Sequence, residues 1–194
     1  MKKVQDHYFH KARREGFAAR SVYKLEEIDR RHKLLAPRQL VLDLGCAPGS
    51  WLAYAARRVA PKGRVVGVDL HRVDAPLPAN ARVVSGDAFC LPPATLLDGG
   101  PAFDVILSDM ALGTTGIKSA DAERSAELVL RTLALAAALL RPGGSLLAKV
   151  YQGARLAELR GAFRRSFATV SVEKPKASRA ESVEVFLLGR QFGP

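Results

Sequence analysis

Only two cysteines, Cys46 and Cys90, occur in the 194 residues, and neither belongs to a CxxC pair. That excludes a zinc ribbon and a disulfide framework, and a reduced cytoplasmic setting is the expectation. The four histidines are scattered; His7 and His10 share a helix face but lack a carboxylate partner, so no metal site is expected. No apolar run is long and charge-free enough to span a bilayer, since Arg131 interrupts the richest stretch, residues 128–140. The basic start MKKVQDHYFHKARREG has no apolar core, which argues against a secretory signal. Acidic residues are also short in number: 19 Asp and Glu stand against 30 Lys and Arg, a net charge of +11.

What is present is unevenly spread. Residues 1–38 carry a balance of +6, residues 39–154 of +1 and residues 155–194 of +4. Basic ends around a neutral middle suit nucleic acid, because Lys and Arg at phosphates release counterions. A 48% hydrophobic fraction supports a packed core. Residues 1–20 are polar, basic and weakly patterned, a mobile arm or an early helix, and residues 21–194 read as a single domain. Lys2, Lys3, Lys11, Arg13 and Arg14 are the expected phosphate contacts; Tyr8, Phe9 and Phe17 either stack on bases or pack locally.

Period and punctuation place the elements. Val22, Leu25 and Ile28 share one helix face over 21–33, with Ser21 as the expected N-cap. Strands are expected at 40–44, 64–70, 82–85, 103–108, 145–151, 167–172 and 182–188. Helices are expected at 50–59, 120–140 (capped by Ser119 or Asp121) and 156–163, with a Pro/Gly-rich loop at 91–101. Such alternation implies an α/β fold, a mostly parallel seven-stranded sheet with helices on both faces. Ligands then bind beyond the strands' carboxyl ends, where Asp43, Asp69, Asp87 and Asp109 fall.

The loop DLGCAPGSW follows the first strand. Gly45 and Gly49 permit a tight turn and close approach of backbone to ligand. Neither GxGxxG nor GK[ST] is present, which argues against dinucleotide and Walker sites. With Asp69 placed for ribose hydroxyls and Asp87 near an adenine amino group, a nucleoside cofactor fits. Lys149 and Glu184 interrupt apolar strands, where an unpaired charge is costly. With Asp109 they suggest a buried polar cluster, a common mark of function.

These segments resemble the FtsJ/RrmJ-type 2′-O-ribose methyltransferases of large-subunit ribosomal RNA. DLGCAPGSW is similar to their DLG-x-APGGW loop, ARSVYKLEEID to RSRA-x-x-KL-x-EI, VILSDMA to V-x-SDMAP, KVYQG to KVFQG, and SRAESVEVFLLG to SRA-x-S-x-E-V-Y. The matches run in family order from Arg20 to Gly189. Ala18, Ser50 and Leu112 depart from it, replacing an arginine, a glycine and a proline, as does GTTGIK after Leu112.

The resemblance implies a Rossmann-like class I methyltransferase fold. It implies transfer of methyl from S-adenosylmethionine to a ribose 2′-hydroxyl, a uridine of 23S rRNA in the large ribosomal subunit. By motif position the catalytic tetrad is Lys24, Asp109, Lys149 and Glu184. Cofactor contacts are expected at Asp43, Gly45, Ala47, Pro48, Gly49, Trp51, Asp69, Asp87 and Asp109, with no metal, no membrane and a monomer. Lys149 is the candidate base, or instead orients the hydroxyl while the proton leaves late. Rival readings are a tRNA or mRNA-cap ribose methyltransferase, a non-catalytic RNA-binding protein of the same fold, and a base or protein methyltransferase. No NPPY-like motif follows the fourth strand to favour the last.

Overall fold

The computed structural model describes residues 2–179 and 182–193, with side chains from His7 onward. The expected phosphate contacts of Lys2 and Lys3, and Ala180 and Glu181 of the SRAESVEV segment, lie outside the described side chains. In chain order the elements are α1 (Lys2–Arg14), α2 (Val22–His32), β1 (Leu40–Leu44), α3 (Ser50–Val59), β2 (Arg64–Asp69), β3 (Ala81–Ser85) and α4 (Pro93–Leu97). They continue with β4 (Phe103–Ser108), α5 (Lys118–Leu139), β5 (Leu140–Tyr151), α6 (Leu156–Ser166), β6 (Phe167–Glu173) and β7 (Glu184–Phe192). The strands form one sheet in the order β3-β2-β1-β4-β5-β7-β6. Strands β1 to β5 run parallel, and β7 enters antiparallel between β5 and β6.

Successive side chains of a strand point to opposite faces, so a sheet covered on both sides reads as a continuous apolar run. Val41, Val65, Val105, Leu107, Leu147 and Phe186 share one core with α1, α2 and α3. Leu42, Leu44, Val66, Val68, Ile106 and Leu146 share the other with α4, α5 and α6. The order reverses between β1 and β4, the place where such sheets bind ligands beyond the strand ends.

Several local expectations are corrected by packing. Residues 2–14 form a helix whose Lys11, Arg13 and Arg14 occupy the last turn, where cations favour the helix dipole. Ala12 is 2% exposed, and the Tyr8 ring lies 5.3 Å from that of Tyr23. Tyr8 and Phe17 therefore pack locally, while Phe9 stays 47% exposed. Ser21 is itself helical and makes no side-chain cap; its carbonyl instead accepts from Trp51 Nε1. Helix α5 begins at Lys118, so Asp121 lies inside it and accepts from Thr115 N and Oγ1 at 2.7 and 2.8 Å. The Arg-Pro-Gly-Gly run is absorbed into β5, in a register shift against β4. Part of the Pro/Gly-rich loop winds into α4, with a proline at its start.

Candidate active site

The loop after β1 is shaped by close approach. Gly45 has φ of 76°, and a Cβ there would lie 2.7 Å from Met110 Cγ. The backbone N–H groups of Gly45 and Cys46 both donate to the Val68 carbonyl, and Asp109 N donates to that of Leu44. These bonds hold the ends of β1, β2 and β4 around a cavity of about 390 Å³. Gly45, Ala47, Asp69, Asp87 and Asp109 line it, five of the nine expected cofactor residues. Asp69 accepts from Ala47 N and His71 N, each at 2.8 Å, which fixes its carboxylate at the rim. At Asp87 the Phe89 N–H holds the carboxyl below its ordinary value against the raising effect of desolvation.

The other four expected cofactor residues stand outside that lining. Asp43 is fully buried on β1, with neither oxygen hydrogen-bonded among the described residues. Burial pushes its carboxyl well up, and the charges of Asp109 and Asp69 add to this. Trp51 is buried, its ring 5.7 Å from Phe186. Gly49 turns into α3 with φ of 106°, and Pro48 is exposed beside it. Two residues that sequence reading missed line the cavity: Phe89, and Arg131 with its guanidinium 4.0 Å from the Phe89 ring centre. The signal was an arginine breaking an otherwise apolar helix.

The structure brings the four expected catalytic residues together. In the β5–β7 register Lys149 faces Phe186 and Tyr151 faces Glu184, so these side chains share the face covered by α2. Lys24, in the first turn of α2, lies 2.5 Å from Glu184 Oε2. Lys149, 8% exposed, donates to the Asp109 carbonyl at 2.6 Å and sits 3.0 Å from Asp109 Oδ1. That Oδ1 has no well-directed donor and keeps acceptor capacity. Desolvation would raise the Glu184 carboxyl; Lys24, then Lys149 and Ser182, bring it below its usual value. Each lysine thus has an acid beside it, Lys149 buried and Lys24 half-buried, the condition for keeping such groups at the edge of a core.

On the tetrad's outer side lies a second cavity of about 450 Å³, which includes Arg20, Lys24, Lys118, Tyr151, Arg179 and Glu184 in its wall. The departures from the family pattern surround these sites. Leu112, 47% exposed, joins the wall of the first cavity, and the Ser50 hydroxyl accepts from Ala19 N at 2.6 Å. Among the described residues no cluster of three or more His, Cys, Asp or Glu is placed to hold a metal, and no helix is long and apolar enough to cross a membrane.

Comparison with known proteins agrees with this fold. The family model described as FtsJ-like methyltransferase matches residues 17–192. A Desulfatibacillum aliphaticivorans protein named ribosomal RNA large subunit methyltransferase E is 48% identical, over 95% of this chain and 89% of its own. A Syntrophobacter fumaroxidans protein of the same name is 49% identical, over 97% and 96%. The crystal structure of a protein described as a ribosomal RNA methyltransferase of Plasmodium falciparum superposes with a TM-score of 0.80 at 28% identity, covering 91% of this chain and 98% of that one. With these motifs in order around a four-residue ion cluster, the chain belongs to the FtsJ-like methyltransferase family and is a methyltransferase.

Proposed function

We propose that this protein transfers a methyl group from S-adenosylmethionine to the 2′-hydroxyl of a uridine ribose in 23S rRNA of the large ribosomal subunit. The observation that carries the reading is the placement of Lys24, Asp109, Lys149 and Glu184 between an acid-lined cavity and a cation-rich one. The relatives' names support the rRNA substrate.

The residues present fit the cofactor. Gly45 lets its loop close against Met110 at the cavity wall, where a Cβ would clash, and Asp69, Asp87 and Asp109 present acceptors to a cationic nucleoside. Asp69 suits ribose hydroxyls and Asp87 the adenine amino group. Asp43, Pro48, Gly49 and Trp51 set the loop's shape from behind. S-adenosylmethionine supplies an electrophilic methyl group on a sulfonium.

The chain's own residues position and activate the acceptor. Lys149 Nζ acts as the neutral amine and takes the ribose proton as the oxygen attacks; the ammonium so formed is held by the carbonyl and carboxylate of Asp109. Lys24 stabilises charge at the oxygen, and Glu184 fixes Lys24. Holding the hydroxyl in line is worth up to about 7–11 kcal/mol in model reactions. Residues 1–20 act as a basic RNA-contacting segment beside a single catalytic domain of residues 21–194, in a monomeric cytoplasmic protein.

The test is methyl transfer from labelled S-adenosylmethionine to ribosomal subunits, naked rRNA and tRNA. Label is expected at a 2′-O-methylated nucleotide of large-subunit rRNA. Lys149→Ala should lower turnover by about 10²–10⁴-fold with cofactor affinity kept. Near-normal turnover would remove Lys149 from proton transfer, and label on tRNA alone would replace the substrate.

A further inference from the structure

We infer that Arg20, Lys118 and Arg179 clamp the phosphodiester next to the acceptor ribose, an inference that rests on the proposed RNA ribose methyltransferase reading. All three line the cavity that also holds Lys24, Tyr151 and Glu184, so an anion bound there adjoins the tetrad. Among the described residues the cavity's acids make no ion pair with these three, and the lining's four cations outnumber its two acids. Glu184 is committed to Lys24 at 2.5 Å, and Asp121 Oδ1 accepts from Thr115 N and Oγ1. Arg20 donates through Nη2 to the Ala177 carbonyl at 3.0 Å, which fixes the guanidinium and leaves other N–H groups for a ligand.

Lys118 is the most telling of the three. It is exposed, opens the 22-residue helix α5, and has no acid within 4.0 Å among the described residues. A cation at a helix N-terminus is opposed by the dipole, by about 0.3–1 kcal/mol, so its place there brings no local stability. An anion in the cavity reverses the sign for both the lysine and the helix end. A phosphodiester is the anion that accompanies every RNA ribose, and a volume of about 450 Å³ is within the range of ligand pockets.

The experiment uses the full chain with Lys118→Ala and Arg179→Ala, measuring methyl transfer to large-subunit rRNA at several salt concentrations and cofactor affinity by calorimetry. Each variant should raise the RNA KM about tenfold and lower the salt slope of binding by about 0.7, with cofactor Kd unchanged. Lys118→Ala should keep or raise Tm, since it relieves the helix end. An active wild type with unchanged KM and slope in both variants would overturn the clamp and leave the function standing. If wild type labels no rRNA, the function fails; the clamp is then decided by a single-stranded RNA oligonucleotide, whose binding slope either falls in the variants or does not.

Discussion

Asp43 has a fully buried carboxyl with neither oxygen hydrogen-bonded among the described residues, in the field of Asp109 and Asp69. Its folded pKa is raised above an unfolded value of about 3.9. Between those two values folding takes up a proton, so this group's contribution to stability declines as pH rises from about 4 toward the folded pKa. Asp43→Asn makes the neutral form permanent. The variant is expected to gain on the order of 1 kcal/mol, about 2–4 °C in Tm, at pH 8 and little at pH 4. Thermal melts of both proteins across that range check it; a Tm difference independent of pH would mean that Asp43 is not the titrating group. The residue type and its place near the end of β1 were legible. Its isolation was not, because burial is set by neighbours from β2 and β4.

At the scale of elements, the segment between α1 and α2 is tied to α3 by three side-chain bonds, two of them close to the start of α2. Ala19 N donates to Ser50 Oγ at 2.6 Å, and Trp51 Nε1 donates to the Ser21 carbonyl at 3.0 Å. These set where α2 begins and hence where Lys24 enters the site. The serine that departs from the family's glycine thus has a definite partner. Ser50→Ala leaves the Ala19 N–H without its acceptor and should cost about 1–3 kcal/mol in chemical denaturation. A change below about 0.5 kcal/mol would show that water replaces the hydroxyl. The strand and helix positions followed from alternation and apolar spacing. The Ser21 cap did not hold, because the residue is itself in the helical region and its hydroxyl makes no cap bond. The entry of Arg-Pro-Gly-Gly into β5 was hidden because these residues bulge between Leu140 and Ser145, whose pairing with Phe103 and Val105 carries the strand across them.

Across the whole molecule, the charge excess at the two ends of the chain divides between a packed helix and a cavity. Arg13 and Arg14 sit in the last turn of α1, whose Ala12 is buried against α2. Removing residues 1–14 would therefore uncover core, and neutralising charge is the cleaner test. Arg13→Gln with Arg14→Gln should lower RNA affinity and reduce the salt slope by up to about 1.4, leaving cofactor Kd and Tm unchanged. An unchanged slope would place the RNA path elsewhere.

By itself the sequence marked Lys24 only through the family resemblance, but it determined the succession of the seven strands, the glycine turn demanded after β1, and a polar cluster of Asp109, Lys149 and Glu184. Those follow from local periodicity, from backbone sterics and from the cost of a charge in an apolar strand. Only the tertiary structure decided that Lys24 pairs with Glu184, 160 residues away, and Lys149 with Asp109. It also separated a cavity-lining Asp69 from a sealed Asp43, and set Lys118 and Arg179 in one wall. The physical reason is pairing between distant segments, β1 with β2, β4 with β5 and β7 antiparallel between β5 and β6, which no local pattern encodes.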